Sequence, residues 1–483
     1  MSDFAARLAG LDDYIEAEMQ KWHVPGLAVA VMHDGKVIHQ KGYGTRDLDN
    51  PQLVTPDTLF AIGSCTKAFT AMGLALLVEE GRLEWDKPVR HYMPQFRLYD
   101  PIATEYTTAR DLVGHRTGLP RHDAMWYGSS ASRWELFAGL QYLKPSYPFR
   151  MMYQYQNLMF MAAGCLIETI TGQTWEQFTQ ERIFDVLGMK DSLFSVTTAE
   201  KAENVAQPHV ITDGAAKRIP FRNIDAVGPA GSIHSSLREM MPWLRLHMNG
   251  GQHEGKSFIP ADSLKTMHQA HVVMPPRPPM DWPEIQQHTY GLGWLQQVYR
   301  GHLRVRHTGG IDGFITDFSF MPQDKIGVLV FNNGSDALSH SVAMHVYDRL
   351  LGLEPIDWRE RIRVAEDQMK ADVKGLHDKL RAARKPDTTP SHPLEDYVAE
   401  YVHPGYGTLT VLLNDGELQA QYNSHVLRLV HLHYDVFETI PEQPDEFRPP
   451  MPITFSLDIE GNVSQAAIRL EPEVEPIVFT RKS

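Results

Sequence analysis

The stretch LRVRHTGGIDGFITDFSFMPQDKIGVLVFN, Leu303 to Asn332, decides the fold. It reads as three strands, Leu303 to His307, Gly313 to Met321 and Ile326 to Asn332, parted by a glycine-rich turn and by Pro322-Gln323-Asp324. Tyr290 to Tyr299 reads as a further strand just upstream. Near the other end, Leu27 to Met32 and Lys36 to Tyr43 flank His33-Asp34-Gly35, whose Asp-Gly pair supplies the positive φ of a tight hairpin. Between these groups, residues 65 to 270 carry helical patterns such as Ala68 to Glu80 and Leu158 to Thr171. In front of them Phe4, Leu8, Leu11, Ile15 and Met19 recur at spacings of three and four, which predicts one amphipathic helix. Strands, a helical insert and strands again imply an α+β fold: one antiparallel sheet assembled from both ends of the region and flanked by helices.

Beyond Asp357 the character changes. Trp358 to Lys385 is highly charged and reads as an exposed helix, and Pro386 to Pro393, PDTTPSHP, reads as a linker. Residues 394 to 483 hold about eight short alternating segments, with turn signals at Asn414-Asp415-Gly416 and Glu460-Gly461-Asn462, the pattern of a small up-and-down β-barrel. The expected division is a catalytic unit over 1–355, a helical connector and linker over 356–393, and a barrel over 394–483.

With 483 residues, 42% of them hydrophobic, the chain is long enough for a sizeable core and two or three domains. A formal charge of -14 opposes general binding to nucleic acid or anionic lipid. No run of about 18 apolar residues occurs, and the opening MSDFAARLAGLDDYIEAEMQ is too charged for a signal peptide, so a cytoplasmic protein without membrane partner is expected. Cys65 and Cys165 lie in apolar helical patterns and are expected to pack rather than to pair.

One segment carries chemistry of its own. In Phe60-Ala-Ile-Gly-Ser-Cys-Thr-Lys-Ala-Phe-Thr70, Ser64 opens a helical pattern and Lys67 follows one turn later on the same face. A serine hydroxyl needs a neighbouring base, and lysine serves only when desolvation or nearby positive charge favours its neutral amine. Taken alone, the pair reads more readily as an N-cap serine and a solvated lysine.

Two further motifs follow in order: Tyr155-Gln156-Asn157 and His307-Thr308-Gly309. With Ser64-Cys65-Thr66-Lys67 they make the chain resemble the penicillin-recognising serine hydrolases of the class C β-lactamase type, over roughly residues 5 to 350. His115 to Pro120 (HRTGLP), Gly228 to Ser232 (GPAGS) and Tyr290 to Trp294 (YGLGW) add to the resemblance. It implies a β-lactamase/transpeptidase-like fold and a serine hydrolase working through an acyl-enzyme on Ser64. By the same resemblance, Tyr155 is the phenol or phenolate that shares a proton with Lys67 and later activates water. Asn157 binds the lysine and the substrate amide, His307 to Gly309 form the edge that receives the substrate, and the N–H of Gly310 joins that of Ser64 in an oxyanion hole.

His307 departs from the lysine usual in β-lactamases. It replaces a fixed cation by a group mostly neutral at pH 7 and weakens recognition of a β-lactam carboxylate. Arg306 is aimed at the opposite face by strand alternation. These residues point to a peptidase or amidase acting on small peptides or amino-acid derivatives, D-residues included. A carboxylesterase with weak or no β-lactamase activity is the near alternative, and a non-catalytic penicillin or peptidoglycan-fragment binder the distant one. No metal and no cofactor are expected, and a homo-oligomer is allowed. Arg121, His122 and Asp123 read as cleft-lining residues or a plain polar loop. Asp312 reads as a turn residue, and His431 with His433 as a strand pair without a third ligand. The C-terminal segment resembles the lipocalin-like barrels appended to some peptidase-like members, and is expected to narrow the cleft or mediate self-association.

Overall fold

In the computed structural model, which describes residues 3–212, 214–334, 336–441 and 449–482, the two ends of the first region meet in one eight-stranded antiparallel sheet. Its order is Lys36–Gly44, Gly26–His33, Ile326–Asn332, Phe314–Met321, His302–Ile311, Leu295–Tyr299, Ile285–Tyr290, Val272–Val273. Leu27 stands opposite Asn332 and His33 opposite Ile326, so the N-terminal hairpin pairs with the last strand along its whole length. Strand alternation explains why LAVAVM is apolar throughout. Ala28, Ala30 and Met32 join the core on one face, while Leu27, Val29 and Val31 join the core on the other. Each fully buried Val, Leu or Ile contributes roughly 1.5–3 kcal/mol. The helices Thr66–Glu79 and Asn157–Thr171 share the first core, and Leu11–Trp22 with Asp336–Leu351 the second.

Three expectations need correction. The first amphipathic pattern is two helices, Asp3–Arg7 and Leu11–Trp22, because Gly10 takes a left-handed conformation (φ 80°) that stops one and starts the next. Tyr290 to Tyr299 is not one strand: Ile285–Tyr290 and Leu295–Tyr299 fold back on each other around Gly293, which also has positive φ (78°). The charged helix, Trp358–Ala382, is not exposed throughout, since Trp358, Ile362 and Ala365 form a stripe at helical spacing that buries its first turns.

Past the linker, eight strands from Ala399–His403 to Ile477–Arg481 follow one another antiparallel, and the ring closes where Tyr401 pairs with Arg481. The barrel packs on the helical insert: the bare backbones of Gly139 and Gly405 approach closely, a Cβ on the first standing 3.5 Å from the carbonyl of the second. Among the described residues no helix is long and apolar enough to cross a membrane.

Candidate active site

Ser64 sits in a 3-10 turn, Gly63–Cys65, that feeds directly into the helix Thr66–Glu79. The first N–H this turn closes is that of Cys65, on the carbonyl of Ile62 (3.1 Å). Gly63 has φ 49°, and a Cβ there would stand 2.7 Å from the nitrogen of Gly310, so the turn and the third motif lie backbone against backbone. One helical turn on, Lys67 is fully buried. Its Nζ lies 2.9 Å from Ser64 Oγ, 2.7 Å from Asn157 Oδ1 and 2.8 Å from the carbonyl of Ala230. Asn157 is the first residue of the helix Asn157–Thr171, which Gln156 caps by accepting from the N–H of Leu158 (2.8 Å). The preceding extended residues bring Tyr155 OH within 2.7 Å of Ser64 Oγ.

The protonation of Lys67 sets the direction of these bonds. A neutral amine has two N–H groups and one lone pair, and two of the three oxygens around Nζ are carbonyl-type and accept only. In that neutral form, with Asn157 Oδ1 and Ala230 O taking the two hydrogens, the lone pair faces Ser64 Oγ. Burial, with the Arg121 guanidinium adding to it, holds the Lys67 amine well below the ordinary lysine range. Tyr155 behaves oppositely: burial pushes its phenol up to about 12, despite the Ser64 hydrogen bond and the charge of Arg121. It is therefore a phenol near neutral pH, not a phenolate, and donates to Ser64 Oγ. Its ring rests 4.5 Å from that of His115, whose Nδ1 accepts from the N–H of Gln156 (3.0 Å).

The third motif borders the same space. Leu295 ends its strand opposite Arg306, so His307 to Ile311 pair with a strand, Phe314–Met321, on one side alone. The free side lies against the Ser64 turn: the Cys65 thiol donates to the carbonyl of His307 (3.3 Å), and a Cβ on Gly309 would fall 1.8 Å from the carbonyl oxygen of Ile62. Thr308 stands half-buried on this edge. His307 is buried with Nε2 3.0 Å from Tyr290 OH; burial first, then the charge of Lys67, push its imidazole down to about 3, so it is neutral. Arg306 faces away, 3.0 Å from the buried carboxylate of Asp317, which Arg304 also holds (2.8 Å).

Of the secondary candidates, two reach the site. The Arg121 guanidinium carbon stands 5.0 Å from the centre of the Tyr155 ring and its Nε 2.5 Å from Asp123 Oδ2. Asp123 Oδ1 accepts from Asn157 Nδ2 (3.0 Å) and from the indole of Trp126 (2.9 Å), so one amide hydrogen expected for substrate is engaged by the protein itself. His122 turns away and is buried with Nδ1 2.6 Å from Tyr406 OH of the barrel. Asp312 pairs with Arg222 (2.8 Å) and accepts from Tyr127 OH. His431 Nε2 lies 2.9 Å from the carbonyl of Tyr434, and among the described residues no three His, Cys, Asp or Glu form a group that could hold a metal ion. Both cysteines are buried and free. Sequence reading missed the carbonyl of Ala230 as a lysine partner, His115 as the floor under Tyr155, and the Asp123–Asn157 bond. The available signal was the polar trio directly after Pro120.

A serine and a buried lysine one helical turn apart, with a phenol on the same oxygen beneath a mixed helix and sheet fold, define a class of serine hydrolase. The Beta-lactamase family model matches residues 11–352, and the chain belongs to that family. A domain of unknown function, DUF3471, matches residues 383–481. An unguisins hydrolase of Aspergillus campestris is 32% identical over 422 residues, 83% of this chain and 77% of the relative. The octameric penicillin-binding protein homologue from Pyrococcus abyssi shares the fold with a TM-score of 0.62 at 22% identity, over 98% of this chain and 99% of that one. The D-amino acid amidase from Ochrobactrum anthropi does so over 76% of this chain and all of its own, with a TM-score of 0.57 at 23% identity. The protein is thus a serine hydrolase of the β-lactamase-like family.

Proposed function

We propose that the protein is a peptidase or amidase for small peptides or amino-acid derivatives, D-residues included, acylated on Ser64. The observation that carries this reading is a fully buried Lys67 Nζ 2.9 Å from Ser64 Oγ with Tyr155 OH 2.7 Å from the same atom, the arrangement in which a neutral lysine turns its lone pair to the serine. Ser64 Oγ attacks the amide carbon and its proton passes to Lys67 Nζ, with the oxyanion received by the N–H groups of Ser64 and Gly310. Tyr155 protonates the leaving nitrogen as the C–N bond breaks, and the lysine ammonium restores the phenol's proton. Water then attacks the ester through the same groups in reverse. Asn157 holds the lysine, and the edge from His307 through Thr308 to Gly309 receives the acyl part. A neutral His307 offers no fixed charge to a β-lactam carboxylate, and the relatedness to an unguisins hydrolase supports hydrolysis as the reaction. The reading uses no cofactor, assigns the chemistry to residues 1–355, and includes self-association, in line with the octameric homologue.

The test is intact-protein mass spectrometry after a fluorophosphonate probe, together with p-nitroanilides and p-nitrophenyl esters of L- and D-residues. One adduct on Ser64 with anilide turnover is expected; Ser64→Ala should lose both and keep its fold, because a cleft hydroxyl adds little stability. Ester turnover alone would make the protein a carboxylesterase, and one equivalent of product without turnover a binder. Turnover surviving in Ser64→Ala would refute the nucleophile.

A further inference from the structure

We propose that Asp123 is a positioning residue of this site, and that the C-terminal barrel is the clamp that keeps it there. The proposal rests on the reading of Ser64 and Lys67 given above. An amide side chain has one accepting and one donating end, and a carboxylate can face only the donating end. Asp123 Oδ1 at 3.0 Å from Asn157 Nδ2 therefore fixes which end of Asn157 meets Lys67. With Oδ1 held toward Nζ at 2.7 Å, one lysine hydrogen is committed there and the lone pair is left for Ser64. An Asn157 turned the other way would present hydrogens to the lysine and recruit that lone pair for itself.

Asp123 is itself held on both sides by the barrel. The carbonyl of Ala124 accepts from Tyr422 OH (3.0 Å) and from Asn423 Nδ2 (2.9 Å), and Asn423 Nδ2 also donates to the carbonyl of Tyr127 (3.2 Å). On the other side the N–H of His122 donates to Glu471 Oε2 (2.7 Å), and its ring is buried against Tyr406. The Tyr127 ring stacks on His425 at 5.7 Å, and the backbone of Gly128 is pressed so close to Ser424 that a Cβ there would stand 2.2 Å from its hydroxyl. Two barrel turns and a side chain near the end of the barrel chain thus grip the segment from 122 to 128, which would otherwise be a surface loop.

The charge of Asp123 gives a signature that a merely structural role would not. Around Lys67 stand Arg121 and Asp123 on this segment, Cys65 on its own turn, Tyr155 beside Ser64, and His115 and His307 on the floor and far wall. Burial keeps the thiol, the phenol and both imidazoles neutral near pH 7, so Arg121 and Asp123 are the charges the lysine feels. Asp123 raises the affinity of the amine for its proton and Arg121 lowers it.

The experiment measures the rate of fluorophosphonate labelling of Ser64 against pH, with the adduct read by mass spectrometry and folding by thermal melts. Asp123→Asn should label about a hundredfold more slowly, the scale of a misplaced catalytic group, with the acid limb moved to lower pH. Arg121→Gln should move that limb to higher pH. The double variant Tyr422→Phe with Asn423→Ala, entirely within the barrel, should slow labelling in the same sense without moving the limb, since no charge is lost. A wild-type rate and limb in Asp123→Asn overturn the positioning role, and a wild-type rate in the double variant overturns the clamp. Should Asp123→Asn not fold, the limb of Arg121→Gln and the rate of the double variant decide. Absence of labelling in the wild type would instead sink the reading of Ser64, and the proposal with it.

Discussion

At the scale of single residues the active site turns on where hydrogens reside. Burial disfavours the charge of Lys67 and keeps the proton on Tyr155 for the same reason, so the proposed base and the proposed acid are told apart by one environment acting on opposite charge types. Tyr155→Phe removes the hydrogen bond to Ser64 Oγ and leaves the ring on His115. Turnover of the best p-nitroanilide should then fall at least about a hundredfold, the ordinary scale of general acid-base catalysis. A near-normal rate would leave proton transfer to Lys67 alone. Ser64 and Lys67 were legible as a pair, because a spacing of three on a helix is itself a contact. The link from Asn157 to Asp123 was not: residues 34 positions apart in a helix and a loop meet only through the fold, and local periodicity carries no trace of it.

Among elements, the strand His302–Ile311 is the one that makes the cleft, because it outruns its neighbour Leu295–Tyr299 and presents a bare edge to the Ser64 turn. Gly309 is the point of closest approach. Gly309→Ala must push the strand and the turn apart, and overpacking of this kind costs about 1–3 kcal/mol. Ser64 labelling should slow sharply even where the variant remains folded, as judged by urea unfolding beside the labelling rate; a variant labelled normally would show that the two backbones need not touch. The central strands Gly26–His33 and Ile326–Asn332 were readable because burial on both faces makes them nearly continuous apolar runs. Two breaks were not, at Gly10 and at Gly293, since hydrophobic periodicity counts which faces are buried and is blind to a backbone that reverses at a positive φ. The first turns of the helix Trp358–Ala382 escaped reading because three apolar residues in a charged stretch form too short a stripe.

The molecule as a whole has an acid weakness. His234 and His307 are buried and His268 and His340 half-buried, and loss of hydration lowers all four from 6.5 to between about 3 and about 4. In that interval the unfolded chain binds protons that the folded chain refuses, so stability rises with pH from about 4 to about 6.5 and falls in the reverse direction. Urea midpoints measured across this range should drop steadily toward acid, and a flat profile would mean that these rings admit protons without unfolding.

The contact between barrel and the segment from 122 to 128 is built on one side from main-chain atoms: the carbonyls of Ala124 and Tyr127 receive barrel side chains. A carbonyl is present whatever residue occupies the position. Mutational drift at 124 or 127 therefore leaves those bonds available, whereas the barrel must keep a tyrosine and an asparagine at its turn. Exchange of barrels between relatives would be governed by that short turn more than by overall similarity, and a transplanted barrel retaining it should bring a working wall along with it.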